Sequence, residues 1–287
     1  ILKQQSYPIP LICVGNITVG GTGKTPHVEL LISILRKQYR IAVISRGYKR
    51  KSRGLKEVTL TSTAAEVGDE PKQIKQKYPE VRFVVDGNRR RAMRYLLALP
   101  EEERPEVVLL DDGFQHRYVH PSFTILLIDA QRELHDDELL PLGGLREPAT
   151  ARYRADCIIL TKCPHDMQPI KLRIMQRNLN LYAHQEIFFS RIHYQQPRAV
   201  RTLLGEAGSP LPKDALVIAL SGIASPGLFF SYLAERYELI DQLVYPDHHQ
   251  FRRKDFTAIS ERWQELCEQH SGRPVYIVCT EKDAVRF

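Results

Sequence analysis

The chain has 287 residues, 43% hydrophobic and 26% charged, with 41 Lys and Arg against 34 Asp and Glu for a formal net charge of +7. This describes a folded chain of one large or two smaller domains, and it excludes a low-complexity or disordered polypeptide; no apolar run reaches the roughly 18 residues of a helical membrane span. Five cysteines form no C-x-x-C pair, and Cys13, Cys157 and Cys279 lie in apolar runs, so they read as buried thiols of a reducing compartment.

In chain order, residues 9–14 form a short apolar run of buried-strand type. Glycine-rich Gly15 to Gly23 follows, and from Thr25 the residues Val28, Leu30, Leu31, Ile34 and Leu35 recur at helical spacing. Strand, glycine-rich loop and helix are the setting of a phosphate-binding loop, whose backbone N–H groups converge on an anion at a helix N-terminus. The pattern G-x-x-x-x-G-K-[ST] is met by Gly23, Lys24 and Thr25, but Thr18 stands where the first glycine belongs. Thr18, Val19, Gly20, Gly21, Thr22, Gly23, Lys24 and Thr25 are therefore the candidate nucleotide cradle. Lys24 would reach the outer phosphates, the Thr25 hydroxyl would reach Mg²⁺, and Pro26 suits a first helical turn.

Further strands are expected at 41–45, 81–85, 107–110, 124–129, 157–161, 216–221 and 275–280, with helical patterns from Arg89, Pro226 and Lys254. This alternation predicts an α/β fold with a mostly parallel sheet and helices on both faces. Residues 187–204 are less regular. The expected division is a core over 1–165, an irregular or antiparallel connecting segment over 166–214, and a smaller C-terminal α/β lobe over 215–287. The run Val107-Val108-Leu109-Leu110-Asp111-Asp112-Gly113 resembles a strand that delivers a carboxylate to a phosphate-bound Mg²⁺, with the choice between Asp111 and Asp112 open. Basic residues cluster at Lys49-Arg50-Lys51 with Arg53 and at Arg89-Arg90-Arg91 with Arg94. They suit phosphate or an acidic membrane surface, and because no aromatics interleave with them, nucleic acid is not an expected partner.

The residues Val14-Gly15-Asn16-Ile17-Thr18-Val19-Gly20-Gly21-Thr22-Gly23-Lys24-Thr25-Pro26, Ser45-Arg46-Gly47-Tyr48, Gly68-Asp69-Glu70-Pro71, Asp111-Asp112-Gly113-Phe114-Gln115-His116, Leu145-Arg146-Glu147, Asp247-His248-His249 and Thr280-Glu281-Lys282-Asp283-Ala284 resemble, in order, the signatures of the tetraacyldisaccharide 4'-kinases of lipid A biosynthesis. The resemblance covers nearly the whole chain and implies a P-loop NTPase-like fold. It implies transfer of the ATP γ-phosphate to the 4'-hydroxyl of tetraacyldisaccharide 1-phosphate, giving lipid IVA, with ATP and Mg²⁺ at the site. By the same resemblance Arg146 and Glu147 join the catalytic site, Arg146 near phosphate and Glu147 near Mg²⁺. Asp69 accepts the proton of the acceptor hydroxyl, and His248 orients it across a cleft. Arg46, Arg89 and His116 are the candidates on the lipid side, since Arg forks match phosphate oxygens.

The implied location is peripheral, on the cytoplasmic face of a Gram-negative inner membrane, with the protein a monomer. Such kinases usually begin with a hydrophobic helix, whereas this sequence opens Ile1-Leu2-Lys3-Gln4-Gln5 and stops at Phe287 after a strand-like run, so an end is expected to continue beyond what is given. Two other readings fit parts of the pattern: a phosphate-loop GTPase or ATPase acting as a switch or metallochaperone, and a soluble metabolite kinase of the same fold, such as a dethiobiotin synthetase relative. Thr161-Lys162 and Thr280-Glu281-Lys282-Asp283 faintly resemble a guanine-reading lysine–aspartate motif but lack its asparagine.

Overall fold

The computed structural model describes residues 3–134, 136–164, 166–199, 210–247, 249–270 and 272–286. Two compact units divide the chain, Ile1–Ile192 and His193–Phe287.

In the first unit the strands are β1 (Leu11–Gly15), β2 (Ile41–Ser45), β3 (Lys56–Glu57), β4 (Arg82–Val85), β5 (Val107–Asp111), β6 (Phe123–Asp129), β7 (Cys157–Thr161) and β8 (Glu186–Phe189). They form one sheet in the order β3-β4-β2-β5-β1-β6-β7-β8, parallel except for the β3–β4 pair. The helices are α1 (Lys24–Leu35), α2 (Ala64–Val67), α3 (Asp69–Lys77), α4 (Arg89–Leu97) and α5 (Pro169–Leu179). All residues of β2 and β5 are buried, as unbroken apolar runs require when helices cover both faces of a parallel sheet. Val14, Val43 and Leu109 meet Val28 and Ile32 of α1 on one face, while Cys13, Ile44 and Leu110 meet Ala92, Met93 and Leu96 of α4 on the other. Central β1 lies between β5 and β6, so the loop after it leaves the sheet where the connections diverge to opposite sides.

The second unit is a three-stranded parallel sheet, β10-β9-β11, of β9 (Leu216–Ser221), β10 (Glu238–Val244) and β11 (Val275–Cys279), with α6 (Gly227–Arg236), α7 (Arg253–Gln269) and the short α8 (Glu281–Ala284). Phe229 and Leu233 of α6 pack on Val217 and Ala219, and Leu266 of α7 packs on Leu216 and Ile218 from the opposite face.

Most strands lie within two residues of their expected positions. The differences are at edges: β3 and β10 are broken by polar residues, β8 has only the short run Ile187-Phe188-Phe189, and Phe188 and Val244 are exposed. Residues 166–192, expected as connecting segment, carry α5 and the edge strand β8, which pairs with β7 in the large sheet. Among the described residues no helix is long and apolar enough to cross a membrane.

Candidate functional site

The loop after β1 folds as a cradle through two glycines with positive φ, Gly20 at 97° and Gly23 at 82°. At Gly20 a Cβ would meet nothing within 4 Å, so its conformation alone demands glycine. Gly23 sits at the N-cap of α1 and Lys24 opens the helix, which aims the first free N–H groups and the positive helix end into the loop. His27, one turn on, is half-buried, and that burial lowers its pKa. As a neutral ring it donates from Nδ1 to the Gly23 carbonyl at 2.7 Å and accepts from the Ser190 hydroxyl at Nε2, 3.0 Å away. The Thr161 hydroxyl at the end of β7 donates to the Thr22 carbonyl at 3.0 Å, tying the cradle to the sheet.

The upstream half has a different construction. Thr18 forms an antiparallel bridge with Leu145, the Val19 N–H donates to the Gly144 carbonyl at 2.7 Å, and the Arg146 N–H donates to the Ile17 carbonyl at 2.7 Å. A residue in such a ladder is extended and gains nothing from glycine, which accounts for threonine at this place. The bridge delivers Arg146 to the cradle. Its Nη2 donates to the Asn16 carbonyl at 3.2 Å, to the Asn16 side-chain oxygen, and to Asp112 Oδ1 at 3.2 Å. Lys24 Nζ lies 3.7 Å from the same Asp112 oxygen and 3.4 Å from Asn16 Oδ1.

Strand β5 supplies the acids beside them. Asp112 adopts φ 49°, a left-handed conformation that aspartate tolerates better than most residues, directly after Asp111 closes the strand. Burial pushes the Asp112 carboxyl up, but Lys24 and Arg146 outweigh it and hold the group below the usual range. Asp111 is pushed up to about 7, first by burial, then by the like charges of Glu70 and Asp112, with Lys24 and the Ser45 hydroxyl opposing. A carboxyl raised in this way beside a second carboxylate is a place for added positive charge, and Asp111, Asp112 and the Thr25 hydroxyl at the start of α1 offer the hard oxygens that Mg²⁺ takes. Among the described residues no three His, Cys, Asp or Glu are arranged to hold a metal by themselves. A magnesium ion here would complete its shell from phosphate and water, as is usual at nucleotide sites.

Glu147, the metal-side candidate of the same motif as Arg146, takes Arg154 at 2.6 Å and Arg117 at 3.1 Å, and these arginines, acting against burial, lower its pKa. Its role in this geometry is to brace the segment that presents Arg146.

The basic run at the start of α4 divides its labour. Arg91 forks onto buried Asp86, with contacts of 2.6 and 2.8 Å, and Arg90 lies 5.0 Å over the Tyr118 ring. Arg89 turns inward, 4% exposed, bonded by Nη1 to the Asp86 and Gly87 carbonyls while its Nε has no partner. His116 Nε2 is likewise buried without a partner, and burial followed by the charges of Arg89, Arg90 and Arg46 drives its pKa down to about 4. Arg46 is exposed. Asp69 is the buried first residue of α3, behind Gly68 at φ 99°. His248 lies outside the described residues. The His249 Nε2–H donates to Asp255 Oδ2 at 3.1 Å, and the ring packs on those of Tyr245 and Phe251, a structural setting.

Comparison with known proteins supplies the family. The chain matches the family described as Tetraacyldisaccharide-1-P 4'-kinase over residues 1–287. It belongs to that family. Curated relatives named tetraacyldisaccharide 4'-kinase include one from Porphyromonas gingivalis, 49% identical over 287 residues, covering 100% of this chain and 79% of the relative. Another, from Parabacteroides distasonis, is 46% identical over 294 residues, covering 100% and 77%. The solved structure of LpxK from Aquifex aeolicus in complex with ATP is similar with a TM-score of 0.69 and 27% identity, over 100% of this chain and 82% of that one.

Within the family's signatures the sequence reading overlooked two residues. Asn16 is fully buried and contacts Lys24, Arg146 and Thr22, while Gln115 Nε2 donates to its carbonyl at 2.7 Å. A signal was present in the asparagine that replaces ordinary loop sequence before Thr18, but its meaning requires Arg146, 130 positions away. The lysine–aspartate resemblances also resolve: Asp283 is a buried brace in the second unit, accepting from the Gly222 N–H at 3.2 Å, the Thr280 hydroxyl at 2.7 Å and Arg286 at 2.9 Å. Lys162 pairs with Asp129 at 2.6 Å.

The lowered pKa of His116 makes a pH prediction. The unfolded chain takes up this proton near pH 6.5 and the folded one only near 4, so the stability that neutral His116 carries is present above about 6.5 and lost as pH falls toward 4. Thermal melts across that window should show the wild type losing about 2–4 °C more than His116→Gln. Parallel curves for the two proteins would contradict it.

Proposed function

We propose that this chain transfers the γ-phosphate of ATP to the 4'-hydroxyl of tetraacyldisaccharide 1-phosphate, giving lipid IVA. The observation that carries the reading is the meeting of Lys24, Arg146 and Asp112 over a phosphate cradle, in a chain whose curated relatives bear that enzyme's name. Backbone N–H groups from Gly20 to Thr25 hold the β- and γ-phosphates at the start of α1. Lys24 and Arg146 exchange Asp112 and Asn16 for the oxygens of the transferring group, where negative charge spreads in the transition state. Mg²⁺ would be held by Thr25, Asp111 and Asp112, and when bound it neutralises β- and γ-phosphate oxygens.

The acceptor oxygen attacks the γ-phosphorus as the bond to the bridging oxygen breaks and ADP departs; the hydroxyl proton goes to a base. Asp69 is our assignment for that base, because it is a buried carboxylate at the first position of α3, and the family resemblance supplies His248 as its orienting partner. The lipid's 1-phosphate has Arg89, Arg46 and His116 to meet, and of these the Arg89 Nε–H donor and the His116 Nε2 nitrogen are buried without partners. Because the acceptor is a lipid, the protein works peripherally on the cytoplasmic face of an anionic membrane, through its exposed basic residues.

The deciding assay is incubation with labelled ATP and tetraacyldisaccharide 1-phosphate in detergent, reading formation of a bisphosphorylated lipid; a folded protein that forms none refutes the assignment. In that assay Lys24→Ala should reduce turnover by about 10²–10³ or more. Asp69→Ala and His248→Ala should each lower kcat far more than they weaken ATP binding, and the double variant should lose much less than the product of the single losses. Full multiplication would separate their roles. In flotation with anionic vesicles, bound protein should decline steadily as salt rises, and binding indifferent to salt would contradict attachment through charge.

A further inference from the structure

We propose that Asn16 is a positioning residue for phosphoryl transfer, an exchangeable holder that aims Lys24 and Arg146 at the γ-phosphate before ATP arrives and releases them to it. This rests on the kinase reading above.

Asn16 is fully buried, and a buried carboxamide is costly unless its polar atoms are used. Its Nδ2 donates to the Thr22 hydroxyl at 2.8 Å, which orients the amide and turns Oδ1 the other way. That oxygen receives Lys24 Nζ at 3.4 Å and Arg146 Nη2, while the main-chain oxygen of Asn16 receives Gln115 at 2.7 Å and Arg146 at 3.2 Å. One residue thus joins the cradle at Thr22, the helix-borne lysine, and an arginine that reaches the site through the Thr18–Leu145 bridge. The two cations repel each other, and the oxygens they share are Asn16 Oδ1 and Asp112 Oδ1.

The residue type follows from the exchange. A carboxylate at this place would hold both cations as ion pairs and compete with the γ-phosphate for them, and it would lose the donor to Thr22. An alanine would remove the shared amide oxygen, leaving Lys24 held by Asp112 alone and Arg146 by Asp112 and the main-chain carbonyl of residue 16. A neutral amide oxygen is strong enough to aim the cations and weak enough to yield to phosphate, since each cation gains the full attraction of opposite charge only with the phosphate oxygen.

The test uses the whole chain. Asn16→Ala should lower kcat about 10–100-fold with KM for ATP changed less than about threefold, as expected when an interaction needed in the transition state is lost. Asn16→Ala combined with Arg146→Ala should be no more than about twofold slower than Arg146→Ala alone, because residues that act through one another are not additive. Asn16→Asp, nearly isosteric, should instead weaken ATP binding by about tenfold or more in calorimetry without lipid, a readout independent of the acceptor. Losses that multiply in the double variant, or an Asn16→Asp protein with wild-type ATP affinity, would overturn the proposal. If Asn16→Ala does not fold, the calorimetric result on Asn16→Asp decides. A wild type that binds ATP but makes no phosphorylated lipid would refute the kinase reading and leave the calorimetric test standing.

Discussion

Lys24 and Arg146 converge on one oxygen of Asp112, and the site is arranged around keeping two cations there together. Like charges about 4 Å apart repel by roughly 4 kcal/mol at an effective dielectric near 20, so the pair persists only where acceptors lie between them. Asp112 meets that need by turning into a left-handed conformation immediately after β5, and Asn16 meets it from the end of β1. The adjacency of β1 and β5 in the sheet is what sets those two acceptors side by side. Close approach is needed as well: a Cβ on Gly15 would lie 2.6 Å from the Phe114 Cβ, so glycine at the end of β1 lets the segment after Asp112 pack against it. Sheet order, strand length and a single glycine thus serve one electrostatic arrangement.

How far the sequence was legible follows from which physical signals are local. Strands β1, β2, β5, β6, β7 and β9 were readable because a parallel strand covered by helices is largely apolar, a pattern five to seven residues long, and β11 because its run is apolar even though Ile277 is exposed. Edge strands β3 and β10 escaped because polar residues interrupt them, Asp241 of β10, for example, pairing with Arg262 at 2.6 Å, and β8 because its apolar run is only Ile187-Phe188-Phe189. The phosphate cradle and the acidic end of β5 were visible as short motifs. What could not be read was partnership across the chain. The ion pairs of Glu147 with Arg117 and Arg154 had no local signal, and the Arg89-Arg90-Arg91 run looked uniform although its members face a core, a ring and a carboxylate.

The second unit solves a smaller problem with similar means. Three strands offer little core, and the loops at their carboxyl ends are held by one buried acid, Asp283, which is tied to the loop after β9 through Gly222 and to Arg286 of its own segment. Arg286 in turn donates to the Gly222 carbonyl at 2.9 Å, so both partners of the ion pair meet the same residue. A paired buried charge of this kind is expensive to break on one side only, and it specifies the loop conformation more than it adds stability. Lys282, beside it in sequence, reaches Asp247 at 3.5 Å, so the same short helix also meets the turn that bears the Asp-His-His signature.

The bridge between Thr18 and Leu145 bears on how such a loop can be moved or copied. An ordinary phosphate loop is a contiguous peptide whose geometry travels with it, so exchange between proteins can occur by swapping one short segment. Here the upstream half is one strand of a ladder whose other strand lies more than a hundred residues later, braced through Gly144 and Asp137. Transplanting residues 14–26 alone would carry the glycines and the lysine and leave behind the hydrogen bonds that shape residues 17–19. The two segments form a unit that must be inherited together, and an insertion anywhere between Leu139 and Arg146 would be felt at the phosphates as surely as one in the loop itself.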